Sequence, residues 1–245
     1  MKLIVHGASG RMGRNIVKLA EENAAHSLAA AVSPELTPDG VQNFLALSDF
    51  AGEADMIIDF SHHSAVSALL DYAKSRKLPV VIGTTGHTED EQALIRAAAN
   101  EIPVFYSRNM SVGVSLLVQL AKQTAKVLPD AEIEIVEIHH DQKLDAPSGT
   151  ALMIADGIKS VKPEATYNMG RSGQAKRTKE EIGIHAIRIG NVVGIHEVLV
   201  STGTQTITLK HEAHDRMLFA EGAVAAAEYL LGKAAGLYNM ETMLS

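Results

Sequence analysis

The 245-residue sequence has no cysteine and no tryptophan, and only five tyrosines and five phenylalanines. The missing thiols remove disulfide frameworks, Cys-ligated zinc, iron–sulfur clusters and any catalytic cysteine. An excess of positive charge is missing too. With 29 acidic against 22 basic side chains the net charge is −7, the wrong sign for holding nucleic acid by phosphate neutralisation. An anionic small molecule would need a local cationic site. No apolar run approaches the ~20 residues of a membrane helix, so no membrane partner is expected. The opening Met1-Lys2-Leu3-Ile4-Val5-His6-Gly7 turns into glycines too early for a signal peptide, which makes a cytoplasmic location the expectation.

What is present is an ordinary globular composition, 46% hydrophobic and 21% charged, in a length that suits one large domain or two modest ones. The first half alternates β-branched runs with amphipathic stretches, the pattern of βαβ units around a parallel sheet. Strands are expected at Lys2 to His6, Leu28 to Ser33, Asp55 to Phe60, Pro79 to Gly83 and Pro103 to Ser107. Between them Met12, Ile16 and Ala20 recur at helical spacing, a second helix is expected with Ser64 as its N-cap, and Thr88-Glu89-Asp90-Glu91 has the capping-box form. From about Asn109 the rhythm changes. A long apolar helix, Val112 to Leu128, ends at Pro129 and leads into a strand from Glu132 to His139. Further strands are expected at Ile184 to Ile189, Val192 to Ser201 and Gln205 to His211, with a loop between Tyr167 and Gly183. The pattern predicts an α/β chain: a Rossmann-like, doubly wound parallel sheet over residues 1–108, then a second α+β domain on a mixed sheet over residues 109–214. The alanine-rich end, residues 215–245, is expected to pack back on the first domain as a helix.

Gly7-Ala8-Ser9-Gly10-Arg11-Met12-Gly13 follows the first strand and opens the first helix. Glycines allow a tight turn and close backbone approach, and the helix start offers N–H groups to a pyrophosphate. The spacing is G-x-x-G-x-x-G, and the acid that would bind the ribose 2′-hydroxyl of NAD at the end of the second strand is absent, Ser33-Pro34-Glu35 standing there instead. Ser33 could bond a hydroxyl or a phosphate, with Arg11 a nearby cation, so the reading leans to NADPH and leaves NADH open. Gly83, Thr84 and Thr85 follow the fourth strand, where doubly wound sheets bind ligands, and Ser107, Arg108, Asn109 and Met110 follow the fifth.

The densest chemistry runs from Glu134 to Thr150. Ser148 is a natural N-cap for a helix carrying Leu152, Ile154, Ala155 and Ile158, and Gly149 and Thr150 open it beside an anion-binding N-terminus. His139, His140 and Lys143 place three proton donors or cations close before that helix start, the polarity a dianionic substrate requires. Adjacent histidines on a strand point to opposite faces, which argues against one metal ion held by both. His62-His63 follows the third strand and could line the cofactor cleft but reads first as an exposed loop pair, His185, His196, His211 and His214 read as single satisfied histidines, and Lys176-Arg177-Thr178-Lys179 as a solvated loop.

Taken together, the G-A-S-G-R-M-G turn, the G-T-T-G loop, E-x-H-H-x-x-K-x-D-A-P-S-G-T-A and the late H-x-A-x-x-R-x-x-F-A-x-G-A stretch resemble the 4-hydroxy-tetrahydrodipicolinate reductase (dihydrodipicolinate reductase) family. The resemblance spans nearly the whole chain. It implies hydride transfer from NADPH or NADH to a cyclic imine dicarboxylate, in lysine and diaminopimelate biosynthesis. It makes His139 and Lys143 the catalytic donors and assigns His140, Gly149 and Thr150 to the substrate. Gly7, Ala8, Ser9, Gly10, Arg11, Met12, Gly83, Thr84, Thr85, Ser107, Arg108, Asn109 and Met110 fall to the cofactor. A homotetramer built through the β-rich domain is a further implication. The sequence departs from the family pattern at Ser33-Pro34, at Ser115 where asparagine is frequent, and at Arg108. A semialdehyde dehydrogenase shares the layout but needs a cysteine nucleophile, and a nucleotide-sensing protein would have no use for the His-Lys cluster.

Overall fold

The computed structural model describes residues 1–35 and 43–245. In chain order the elements are β1 (Lys2–His6), α1 (Arg11–Glu22), β2 (Ser27–Val32), β3 (Asn43–Phe44), β4 (Met56–Asp59), α2 (Val66–Arg76), β5 (Val80–Ile82), α3 (Glu89–Ala98), β6 (Pro103–Tyr106) and α4 (Val112–Val127). There follow β7 (Glu132–His139), α5 (Gly149–Lys159), β8 (Thr166–Asn168), β9 (Glu181–Arg188), β10 (Gly194–Ser201), β11 (Thr206–Ala213), α6 (Met217–Leu230), β12 (Gly236–Tyr238) and α7 (Met240–Met243). They fall into two compact units, Met1–Val112 with Met217–Ser245, and Gly113–Arg216. Among the described residues no helix is long and apolar enough to cross a membrane.

In the first unit seven strands pair in parallel in the order β12-β6-β5-β4-β1-β2-β3. Apolar side chains on both parities of the central strands make this possible, because a parallel sheet must be covered on both faces. Leu3 and Val5 of β1, with Met56 and Ile58 of β4, meet Ile16 and Ala20 of α1 and the alanines of α6. Ile4 and Ile57 point the other way, to Leu69 and Ala73 of α2 and Ile95 of α3. Winding reverses between β1 and β4, the switch point at whose carboxyl edge such sheets bind ligands. Gly222 lets α6 come close: a Cβ there would lie 1.7 Å from the Met110 carbonyl oxygen.

In the second unit the sheet is mixed, order β11-β10-β7-β9-β8, with β7-β9 and β8-β9 parallel and β7-β10 and β10-β11 antiparallel. One parity of its strands, Ile133, Ile135, Ile182, Ile184, Val198 and Val200, forms a buried layer under Leu117, Ala121 and Ala125 of α4 and Ile154, Ala155 and Ile158 of α5. The doubly wound sheet and the mixed sheet are as the sequence pattern predicts.

Several local expectations are corrected. Ser64 is not the cap of α2: His62 caps a single 3₁₀ turn, His63–Ala65, that runs into the helix, its Nδ1 accepting from the Ser64 N–H. The segment expected as a loop between Tyr167 and Gly183 contributes β8 and the start of β9 to the sheet. Arg177 is not solvated; it donates to the carbonyls of Ile133 and Glu181 at 3.1 and 2.6 Å. Thr88 and Ser148 cap α3 and α5 as read from the sequence, each hydroxyl accepting the N–H three residues on.

Candidate functional site

The carboxyl edge of the first sheet collects every candidate nucleotide residue. Gly7 to Met12 follow β1, Ser33 follows β2, Gly83 to Thr85 follow β5, and Ser107 to Met110 follow β6. Gly7 has φ +83°, and a Cβ on it would meet the Phe60 carbonyl oxygen at 2.4 Å, so the turn excludes any side chain there. Gly13 sits so close behind that its Cβ would be 2.2 Å from the Gly7 carbonyl oxygen. Gly10 caps α1 with no side-chain hydrogen bond, which leaves the first-turn N–H groups of Arg11 and Met12 facing the place where a pyrophosphate would lie. Ala8 is fully buried and Arg11 exposed. This is the cradle a dinucleotide needs.

A cleft of about 760 Å³ opens from this turn, reaching Gly7, Ser9, Gly10 and Ser33, and also Leu45 and Tyr72, which the sequence did not single out. Gly83 to Thr85 and Ser107 to Met110 do not line it. Ser33 is buried, and its hydroxyl donates to the Glu35 carbonyl. Arg108 is exposed, whereas the Met110 side chain belongs to the core. Ser107 and Asn109 lock the turn after β6: the Ser107 hydroxyl donates to the Asn109 carbonyl at 2.7 Å, and the Asn109 side chain accepts the Ser111 N–H. Under the edge lies a carboxylate the sequence reading missed. Asp59, 2% exposed, accepts from the Ser61 and Thr84 hydroxyls at 2.6 Å each and lies 2.7 Å from His6 Nδ1. It fixes Thr84 at the head of the Gly83-Thr84-Thr85 loop and leaves Thr85 exposed.

In the second unit β7 carries Glu137 and His139 on the parity of the buried Ile133 and Ile135. His139 Nδ1 lies 2.5 Å from Glu137 Oε2. Glu137 is fully buried, and Arg188 of β9 donates Nη1 to Oε2 and Nη2 to Oε1, both at 2.9 Å. The Ser148 N–H, at the start of α5, donates to Oε1 at 2.9 Å. Burial alone would raise the Glu137 carboxyl, but the hydrogen bonds from His139, Arg188 and Ser148 outweigh it and hold the group down at about 2. His139 Nε2 makes no hydrogen bond to the described residues and passes Gly194, where a Cβ would stand 3.1 Å away.

His196 of β10 completes the cluster and is not the independent, satisfied histidine expected of it. Its ring meets that of His139 edge to face, centroids 5.1 Å apart, and its Nε2 lies 3.1 Å from the Ser148 hydroxyl, while Nδ1 is buried without a partner. Burial first, and then the neighbouring His139, holds its imidazole down at about 3, so it is neutral across the physiological range.

Lys143 stands on the turn between β7 and α5, its ammonium 2.8 Å from Asp145, whose carboxyl that hydrogen bond holds below the usual range. Gly149 is exposed, with nothing within 4 Å of where a Cβ would be, so the first turn of α5 faces open space, and Thr150 follows half-buried. His140 goes elsewhere: it lines a separate cleft of about 470 Å³ with Gln142, Asn191, His214 and Arg216. The structure thus gathers His139, Ser148 and the start of α5 around one carboxylate and leaves His140 outside that group. A signal for Glu137 and His196 existed in the sequence. Each is a polar residue on a strand parity that carries buried Ile or Val, Ile133 and Ile135 on β7 and Val198 and Val200 on β10.

The family model for the N-terminus of dihydrodipicolinate reductase matches residues 1–110, and that for its C-terminus matches residues 113–244. A 4-hydroxy-tetrahydrodipicolinate reductase of Caldanaerobacter subterraneus subsp. tengcongensis is 46% identical over all of this chain and 98% of its own. One of Clostridium tetani is 41% identical over all of this chain and 97% of its own. Among solved structures, a dipicolinate-bound dihydrodipicolinate reductase from Paenisporosarcina sp. TG-14 shares the fold with a TM-score of 0.83 at 24% identity, covering 98% of this chain and 97% of that one. Two family models tiling a chain of this fold, with relatives above 40% identity end to end, establish that the chain belongs to the dihydrodipicolinate reductase family.

Proposed function

We propose that the chain reduces the cyclic imine dicarboxylate derived from 4-hydroxy-tetrahydrodipicolinate to tetrahydrodipicolinate, in lysine and diaminopimelate biosynthesis. The observation that carries this reading is His139, anchored at Nδ1 and open at Nε2, beside a Ser148-capped helix start that faces open space. Family membership supports it across the whole chain. A nicotinamide cofactor supplies hydride when bound, and the glycine cradle after β1 fits one. Gly7, Ala8, Ser9, Gly10, Arg11 and Met12 would hold its pyrophosphate, and Ser33 would bond its ribose end. Gly83, Thr84, Thr85, Ser107, Arg108, Asn109 and Met110 would hold the remainder.

The substrate needs two things from the chain. Its carboxylates require compensation, which the N–H groups of Gly149 and Thr150 and the Lys143 ammonium provide. Addition of hydride to one carbon of the conjugated system leaves an electron pair on its partner, and a proton must meet it there. His139 delivers that proton from Nε2, with Lys143 as the second donor. Residues 1–108 with 215–245 serve as the dinucleotide-binding domain, and residues 109–214 bind substrate and assemble the oligomer.

Both nucleotides are substrates in this reading. Among the described residues the cleft beyond Ser33 is lined by no Lys or Arg, and residues 36–42 contain none in sequence; Arg11, at the start of α1, is the cation this reading assigns to a 2′-phosphate. A cytoplasmic homotetramer belongs to the same reading. Val136, Ile138, Ile195 and Leu199 stay half-exposed and Ile187 is 42% exposed on the sheet face opposite α4 and α5, as an assembly surface would be. The test is to generate the substrate in place from pyruvate and aspartate semialdehyde with the preceding synthase, add reduced nucleotide, and identify the product by mass. Appearance of tetrahydrodipicolinate only when this chain is present is the expected result. A mixture that stays at the unreduced imine overturns the reading.

A further inference from the structure

Glu137 makes four hydrogen bonds, and each of its two oxygens serves two partners. Oε2 receives His139 Nδ1–H and Arg188 Nη1–H; Oε1 receives the Ser148 N–H and Arg188 Nη2–H. Arg188 Nη2 also donates to the Asp145 carbonyl at 2.6 Å, and Asp145 in turn pairs with Lys143. One carboxylate therefore connects β7, the turn that carries Lys143, and the start of α5. No other described acidic side chain is completely buried.

The chemistry of these contacts fixes more than distance. A carboxylate gripped by a guanidinium fork and a backbone N–H is ionised and can only accept. The nitrogen of His139 that faces it must then be the donor, so the neutral ring carries its proton on Nδ1 and presents a bare Nε2. When Nε2 gains a proton, the resulting imidazolium keeps its Nδ1–H bond to the Glu137 carboxylate, which it shares with Arg188. Replacing a buried partner of this kind leaves a side chain in place and removes its orientation, as in catalytic triads.

We propose that Glu137 is the positioning residue of the site: it sets the His139 tautomer and, through the Ser148 N–H, ties the carboxylate-binding start of α5 to the same pair of oxygens. Arg188 keeps Glu137 ionised and holds the Lys143 turn through Asp145. The proposal rests on His139 being the proton donor. It adds that the donor and the anion site are registered by a single group that touches neither substrate nor cofactor.

The test uses the full chain labelled with ¹⁵N-histidine, with the His139 signals assigned by their loss in His139→Gln. At alkaline pH the wild type should show a protonated Nδ1 and an unprotonated Nε2 on His139. Glu137→Gln should shift that ring toward the Nε2–H form and lower kcat on the order of 10²-fold, with nucleotide affinity unchanged. Because Glu137→Gln strands the Arg188 charge, the charge-balanced Glu137→Gln/Arg188→Met is measured beside it. That double variant should fold and keep the loss of kcat. Recovery of the double variant to within about threefold of wild type would show that Glu137 only neutralises Arg188 and would overturn the proposal, as would an Nε2–H tautomer in the wild type. A failure of the reductase reading looks different: the wild type would leave nucleotide unoxidised in the synthase-coupled mixture, and the tautomer of His139 with its response to Glu137→Gln would still decide the role of Glu137.

Discussion

Arg188 grips Glu137 with both terminal nitrogens, Nη1 on Oε2 and Nη2 on Oε1, each at 2.9 Å. A bidentate pair at the heart of a sheet has consequences for stability as well as geometry. The Glu137 carboxyl, which burial alone would raise, is held at about 2 by its hydrogen bonds from His139, Arg188 and Ser148, against 4.5 for a free glutamate. A carboxyl whose folded value is depressed adds stability that is complete above the unfolded value and is lost as pH falls through the folded one. Denaturant titrations from pH 5 down to pH 2 should therefore show a steep loss of stability in wild type and a shallower one in Glu137→Gln/Arg188→Met. Equal slopes in the two proteins would place the acid sensitivity elsewhere.

His139→Gln keeps a polar side chain of similar reach but cannot deliver a proton. Turnover in the coupled assay should fall by roughly 10² to 10⁴ while the dissociation constants of NADH and NADPH stay put. Near-normal turnover would move the donor role to Lys143 or to water.

Arg11 opens α1 beside the glycine turn and is exposed, and the described lining of the cleft beyond Ser33 contains no Lys or Arg. Arg11→Ala should raise KM for NADPH roughly tenfold, the value of about one charge-assisted hydrogen bond, and leave KM for NADH nearly unchanged. A parallel rise for both nucleotides would mean that Arg11 acts on the pyrophosphate and not on the 2′-phosphate.

Gly222 stands inside α6 where alanine would ordinarily be the better helix former. Its missing Cβ is space taken by the Met110 carbonyl, 1.7 Å from where that atom would be. Gly222→Ala should thus destabilise the first unit by roughly 1–3 kcal/mol despite its propensity gain, read as a lower denaturation midpoint. A raised midpoint would show that α6 can move aside at no cost.

How much of this was legible in the sequence depended on how local the signal was. The glycine turn announced itself because Gly7 takes a positive φ of +83° at the turn and Gly13 packs against the Gly7 carbonyl within one βα unit. The caps Thr88 and Ser148 are likewise local, each bonding three residues on. Ser64 misled because serine and histidine two residues apart compete for the same cap, and the chain resolves the competition with a 3₁₀ turn that shifts the start of α2 to Val66. The two-residue β3 and the three-residue β8 and β12 are too short to carry a period and exist because a neighbouring strand is there to pair with. Glu137, Arg188, His196 and Asp59 were missed for a different reason. Their importance lies in partners distant in sequence, such as Arg188, 51 residues from Glu137, and a linear reading shows only that a polar residue sits on an apolar parity.

The central claim is the reaction, and the most direct measurement follows absorbance of NADH, and separately NADPH, in a mixture of pyruvate, aspartate semialdehyde and the preceding synthase. The expected result is rapid oxidation that needs both this chain and the synthase and that collapses with His139→Gln. Nucleotide that binds but is never oxidised, with substrate demonstrably present, would contradict the account and leave only the fold and the family.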